Sequence, residues 1–254
     1  MQGQIVKIIS DLHYVSCNNM IYPCKCRGIF RKEHITPVVG DYVLFNKDKK
    51  LIEKILPRKN IFQRPKVSNI EQAFIITSLK LPDFSLNLLD KNELEKINRY
   101  LAYYRKIGYT IVYNYELDKI KGLIKNKISV FTGQTGAGKS TLLNKLCPDL
   151  ELETGEVSLA LGRGKHTTRV VQLVNCDSGK IMDTPGFSSL SLQSYSRMQI
   201  RDAFREFNNY LCKYSDCFHI NEEECSVKKA VIANNILKSR YDNYLSFLRE
   251  SDNK

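Results

Sequence analysis

The stretch "GQTGAGKST", residues 133–141, decides the fold of this 254-residue chain. It fits the pattern G-x-x-x-x-G-K-[ST] from Gly133 to Ser140. The apolar run "KISVF" (127–131) reads as a strand running into it, and "KSTLLNKLC" reads as a helix leaving it. That is the context a phosphate-binding loop needs. Glycine lets the backbone curl closely around an anion with its N–H groups pointing inward, and the helix N-terminus adds a partial positive charge. The backbone of Gly133, Gln134, Thr135, Gly136, Ala137, Gly138 and Thr141 is expected to wrap the phosphates. Lys139 would reach the β- and γ-phosphates and Ser140 would ligate Mg²⁺.

Downstream, "GKIM" leads into Asp183-Thr-Pro-Gly186. A strand ending in Asp, followed by x-x-Gly, suits the magnesium side of such a site: Asp183 on Mg²⁺ through water, and the Gly186 N–H on the γ-phosphate. Between the two motifs lies "LGRGKHTTR" (161–169), a glycine-flanked basic loop that reads as a switch segment. Thr167 or Thr168 is expected to ligate Mg²⁺ when a γ-phosphate is present, and the sequence leaves open which. Many GTPases orient water with a Gln directly after D-x-x-G. Here Phe187 stands there and cannot, so His166 becomes the catalytic candidate.

In front of the loop stand 132 residues. Residues 1–66 contain short apolar runs ("QIVKII", "HYVSC", "GDYVLF", "LIEKIL") broken by Asn, Gly, Pro and Lys clusters, which imply about five strands in a small barrel of the oligonucleotide-binding (OB) type. This segment holds 13 Lys and Arg against 5 Asp and Glu, most of the chain's net +12. Such an excess points to a polyanion, and to nucleic acid in particular. Residues 67–196 alternate strands ("AFIITS", 73–78; "YTIVY", 109–113; "RVVQLVN"; "GKIMD") with helices ("NELEKINRYLAYYRKIG", 92–108, closed by Gly108). This implies an α/β domain with a parallel sheet and helices on both faces. Residues 197–254 read as helical.

The C-terminal segment contains "CKYSDCFHINEEEC", which spaces Cys212, Cys217, His219 and Cys225 as C-x4-C-x-H-x5-C. Three thiolates and an imidazole fill a tetrahedral Zn²⁺ shell with no open position, so the reading is structural zinc. Cys24 and Cys26 are too close in sequence for a standard ligand pair and read as strand residues. The start "MQGQIVKIIS" has no charged segment followed by a long apolar one, and no run of 18 apolar residues occurs. A cytoplasmic location without membrane association is expected. The cysteines are then expected as thiols or metal ligands rather than disulfides. Nothing points to a stable oligomer, so a monomer is expected.

A β-barrel, a nucleotide domain with a late phosphate loop and a Cys3His module together resemble the family of ribosome small-subunit-dependent GTPase A. The resemblance rests on "RGIFRKEHITPVVGDYV" (27–43), "GQTGAGKSTLLN" (133–144), "LGRGKHTTR", "DTPGFSSL" (183–190) and the zinc spacing. It implies a circularly permuted P-loop GTPase domain with an N-terminal OB barrel and a C-terminal helical zinc module. It also implies hydrolysis of GTP to GDP with Mg²⁺, a role late in maturation of the 30S subunit, contacts to 16S rRNA, stimulation by the ribosome, and a catalytic part for His166. One departure stands out. The family's guanine-reading N-K-x-D motif is absent, and the stretch 84–109 is shorter than the family pattern by about 30 residues, two to three elements. "DKNEL" (90–94) and "NYELD" (114–118) imitate it only partly. The alternative readings are therefore an RNA-binding assembly factor with a vestigial nucleotide site and a nucleotidase that accepts ATP.

Overall fold

The computed structural model describes residues 1–33, 35–63, 65–77, 91–134, 136–148, 157–158, 163–164, 171–176, 179–184 and 192–252. In chain order the strands are β1 (Gln2–Ile9), β2 (Leu12–Cys17), β3 (Met20–Cys26), β4 (Tyr42–Asn46), β5 (Leu51–Ile55), β6 (Ile61–Gln63), β7 (Lys66–Ser68), β8 (Gln72–Ile76), β9 (Ile128–Gly133), β10 (Val157–Ser158), β11 (Arg163–Gly164), β12 (Gln172–Cys176) and β13 (Gly179–Asp183). The helices are α1 (Ile29–Lys32), α2 (Lys91–Lys106), α3 (Leu117–Ile124), α4 (Lys139–Leu146), α5 (Arg197–Ala203), α6 (Ser226–Ile232) and α7 (Lys238–Asp252). The chain divides into two compact units, residues 1–85 with 112–188, and residues 86–111 with 189–254. These units cut across the three sequence segments: α2 groups with the C-terminal helices.

In the first unit β1–β5 close a barrel in the order β2-β3-β5-β4-β1, with β1 returning to β2. Alternate residues point inward, Val15 and Cys17 on β2, Val43 and Phe45 on β4, as the period of two requires. The OB-type expectation holds. The fifth strand, β3, carries no clean apolar run because "MIYPCKC" includes Pro23 and a lysine.

Strands β8, β9 and β13 are parallel, while β12 is antiparallel to β13 and touches β1 through one residue pair, Lys7 with Gln172. Barrel and nucleotide strands thus share one nine-stranded sheet, and that sheet is mixed rather than parallel throughout. Phe131 and Ile181 face α3 and α4, packing with Ile120, Ile124, Leu142 and Leu143. Their neighbours Val130 and Met182 point the other way and pack on Val39, Val67 and Ile70. Among the described residues, this second face is covered by segments flanking the barrel, where the sequence suggested a helix.

The turn that covers it is held by Asp41, which is fully buried. Its carboxylate accepts from Arg58 Nε and a terminal Arg58 nitrogen (2.7 Å each), from Ser68 Oγ (2.7 Å) and from Val38 N (2.9 Å). Gly40, at φ +98°, passes so close to the Ser68 carbonyl that a Cβ would collide with it. Asp41→Ala leaves the Arg58 guanidinium and the Ser68 hydroxyl without their acceptor. The expected cost is about 3–5 kcal/mol of stability, read from urea unfolding. A loss below about 1 kcal/mol, the range of a surface pair, would mean the network does not hold the turn.

The expected strand 109–113 does not form. A strand needs a ladder partner. Val112 instead packs against the α3/α4 cluster, and Tyr109 stacks edge-on with Tyr104. The cysteine expectation also needs one correction: Cys147, at the end of α4, and Cys176, at the end of β12, are joined as a disulfide with Cα atoms 5.5 Å apart.

The second unit is helical around Phe204, Phe207, Tyr244 and Leu248. Within the segment that reads as helical, the first helix ends at Ala203 and continues as a 3-10 turn, Arg205–Asn209. Its start is fixed by a capping box between Ser196 and Gln199. Glu206, 2% exposed, takes both ends of the Arg240 guanidinium (2.7 and 3.1 Å), and that guanidinium lies over Phe204 and over Tyr104 of α2. Gly108 closes α2 in the left-handed region, φ +92°, as expected. No helix among the described residues is long and apolar enough to cross a membrane.

Candidate functional site

The phosphate loop leaves the buried strand β9 and enters α4. Gly133 sits against the Ile76 carbonyl so tightly that no Cβ fits. Gly136 and Gly138 both adopt φ +83°, a left-handed backbone that a side chain disfavours, and Gly138 caps α4. Gln134, Gly136, Gly138 and Thr141 are exposed, Ala137 and Ser140 half-buried, and Lys139 buried. Ser140 lies in the first turn of α4, where an oxygen ligand for Mg²⁺ is needed.

Asp183 ends β13 and is fully buried, on the strand beside β9. Lys139 Nζ lies 3.4 Å from Asp183 Oδ1 and donates to the Thr184 carbonyl. Burial lowers the Lys139 pKa from its ordinary value, and the Asp183 charge offsets part of that. A buried ammonium held by one carboxylate and one carbonyl is suited to exchange those contacts for phosphate oxygens. The residues present therefore fit a magnesium nucleotide. His166, Thr167, Thr168 and Gly186 lie outside the described residues, as does Thr135.

The sequence reading missed Thr184. Its hydroxyl donates to the Phe131 carbonyl (2.7 Å), tying β13 to the end of β9 beside the loop. The only signal was the second letter of "DTPG".

In the second unit Cys212, Cys217, His219 and Cys225 converge, with their donor atoms all within 4.8 Å of one another. His219 Nδ1 lies 3.5, 3.2 and 3.3 Å from the sulfurs of Cys212, Cys217 and Cys225, and Cys212 and Cys225 are 3.8 Å apart. Tetrahedral Zn²⁺, with Zn–S about 2.3 Å and Zn–N about 2.0 Å, keeps its ligands roughly 3.5–3.8 Å apart. The donor set fits. Burial pushes the Cys217 thiol up to about 12, raises Cys225 and lowers His219. Thiolates at this spacing need a cation between them.

His219 itself sits at φ +60°, costly for a residue with a Cβ. Its neighbours hold it there. The Glu222 carboxylate accepts from Phe218 N (2.6 Å) and Ile220 N (2.7 Å), while the hydroxyls of Tyr241 and Tyr244 donate to the carbonyls of His219 and Phe218 (2.6 Å each). Glu222 and the two tyrosines are supports that the metal spacing alone did not reveal.

A strand–loop–helix phosphate site beside an aspartate-tipped strand, joined to an OB barrel, defines a P-loop nucleotide-binding protein. Comparison with known proteins narrows the class. Residues 87–193 match the RsgA GTPase family model and residues 2–51 the RsgA N-terminal domain. Proteins of Streptococcus agalactiae and Streptococcus pneumoniae, each named small ribosomal subunit biogenesis GTPase RsgA, are 41% and 42% identical, covering all of this chain and 96% of theirs. The crystal structure of YjeQ from Thermotoga maritima superposes with a TM-score of 0.81 at 30% identity, over 100% of this chain and 99% of that one. YloQ, described as a circularly permuted GTPase, gives 0.75 at 29%, over 99% and 94%. The chain belongs to the RsgA family. The streptococcal alignments run over 281 positions against 254 residues here, so at least 27 positions of those relatives have no counterpart.

Proposed function

We propose that this protein hydrolyses GTP with Mg²⁺ and assists late maturation of the small (30S) ribosomal subunit, as a cytoplasmic monomer bound to 16S rRNA. The observation that carries the reading is the convergence of Lys139 and Asp183 at the end of β9 and β13, in a chain that aligns end to end with small-subunit biogenesis GTPases. Bound Mg²⁺ neutralises charge on the β- and γ-phosphates. Lys139 would reach the β- and γ-phosphates, while Ser140 would hold the metal directly and Asp183 through water. Thr167 or Thr168 would ligate Mg²⁺ when the γ-phosphate is present, the Gly186 N–H would contact that phosphate, and His166 would orient the attacking water. The Cys3His set holds one structural Zn²⁺.

The barrel supports the RNA partner. OB folds take oligonucleotides on their β2–β3 face and on the β1–β2 and β4–β5 loops. Here the β4–β5 loop carries exposed Lys47, Lys49 and Lys50, and exposed Lys25 lies on β3. The test is GTP turnover with and without purified small subunits. Stimulation of at least 10-fold by small subunits, and none by large ones, is the expected result. Equal turnover with both, or with neither, overturns the proposal.

A further inference from the structure

We propose that Tyr113 and Tyr115 form the platform on which the nucleotide's base stacks, and that the site consequently accepts guanine and adenine nucleoside triphosphates with little discrimination. This deepens the preceding proposal and rests on it for the seat of the phosphates.

The placement follows from the topology. Helix α3 runs into β9 through the turn at 125–127. Its N-terminal end therefore returns to the carboxyl edge of β9, the edge from which the phosphate loop departs. Val112 and Leu117 pack into the cluster that contains Phe131 of β9 and Leu142 and Leu143 of α4. Residues 113–116 lie between those two anchors. In open α/β sheets, ligands sit outside the carboxyl ends of the strands.

The chemistry of the loop is that of a flat shelf. The two rings are stacked, with centroids 5.3 Å apart and planes within 4° of parallel. Tyr115 has Tyr113 on one side and is still 65% exposed. The loop is braced from within: the Glu116 carboxylate accepts from Tyr113 N (2.7 Å) and from Lys119 Nζ (3.2 Å), and Glu116 N donates to the Tyr113 carbonyl (3.0 Å). That carboxylate is engaged by its own loop rather than turned to a base edge.

Selectivity depends on which contact dominates. A site that hydrogen-bonds a base edge rejects the wrong base strongly, because its own groups are left unpaired. An aromatic face has no such preference, since every base has a π surface. No N-K-x-D sequence occurs in the 254 residues, and the streptococcal relatives carry at least 27 positions missing here (281 aligned against 254). The stacked tyrosines remain.

The experiment measures binding with Mg²⁺ of GTP, inosine triphosphate, ATP and inorganic tripolyphosphate to the full chain and to Tyr115→Ala and Tyr115→Trp. The three nucleotides are expected to bind within about 5-fold of one another, a spread below one edge contact. Tyr115→Ala weakens all three by roughly 5- to 100-fold and leaves tripolyphosphate unchanged. Tyr115→Trp restores binding. The chain has no tryptophan, so this variant's fluorescence is its own reporter and is quenched as the base stacks. A preference for GTP over ATP of 100-fold or more overturns the inference, as does a Tyr115→Ala variant that binds nucleotides like the parent. If neither nucleotides nor tripolyphosphate bind, the phosphate site itself is misassigned and both readings fall. If tripolyphosphate binds and nucleotides bind no better, only the platform falls.

Discussion

Removing Zn²⁺ from the Cys3His set is expected to unfold the C-terminal unit. The reason lies in what the metal replaces. Three thiols and an imidazole meet with donor atoms within 4.8 Å, buried enough that the Cys217 thiol resists ionisation up to about 12. Around them the core of the unit is small, and Cys217 and Cys225 are themselves part of it. His219 holds a left-handed backbone, φ +60°, which unfolding would relieve. Structural zinc sites contribute roughly 10–16 kcal/mol of apparent binding free energy at neutral pH, comparable to the whole stability of an ordinary domain. Elemental analysis should return one zinc per chain. Chelation should abolish the helical signal of residues 197–252, and Cys217→Ser should purify without metal. Retention of that signal after complete metal removal would show that the aromatic core stands by itself. Because thiolates and a neutral imidazole would be the ligands, metal loss should also occur on acidification, as protons compete for the sulfurs.

Lys139→Ala should cut turnover by roughly 100- to 1000-fold while leaving the fold in place. The structure brings the ammonium to 3.4 Å from Asp183 at the end of the loop. Burial lowers its pKa, and the Asp183 charge offsets part of that. Loss of a preorganised charge contact to developing negative charge costs roughly 100- to 1000-fold in rate. The measurement is single-turnover GTP hydrolysis at saturating small subunit, with circular dichroism as the folding control. A variant within 10-fold of the parent would place the chemistry elsewhere. The Asp183 carboxylate left behind is buried, so a modest loss of thermal stability should accompany the rate effect, and nucleotide with Mg²⁺ should restore part of it.

Much of the site was legible because its motifs are local. Gly133 to Ser140 requires one strand, one turn and one helix, all adjacent in sequence, and the structure assembles them in that order. The Cys3His spacing likewise closes within 14 residues. What the sequence hid was long-range. Nothing in "YTIVY" says whether a neighbouring strand exists to pair with it, and 109–113 stays irregular. The meeting of β12 with β1, at Lys7 and Gln172, joins residues 165 positions apart. Thr184 and Glu222 act by bonding to backbone, and Asp41 by bonding to the remote side chains of Arg58 and Ser68, and a polar residue has no periodicity to betray such a partner. The Cys147–Cys176 pair is of the same kind, its members separated by 29 in sequence.

The shared sheet bears on how the molecule can be dissected. Composition invites a cut near residue 66, between a basic barrel and a nucleotide domain. Yet β1 meets the outer edge of β12 at Lys7 and Gln172, and Val39 and Val6 pack in one cluster with Leu173 and Met182. A fragment starting at 67 would expose an unpaired strand edge and an apolar face together, the combination that natural sheets guard against because it templates aggregation. The barrel is thus also the lid of the sheet it precedes. Any attempt to separate RNA contact from nucleotide chemistry is better made by point substitution in the β4–β5 lysines than by truncation.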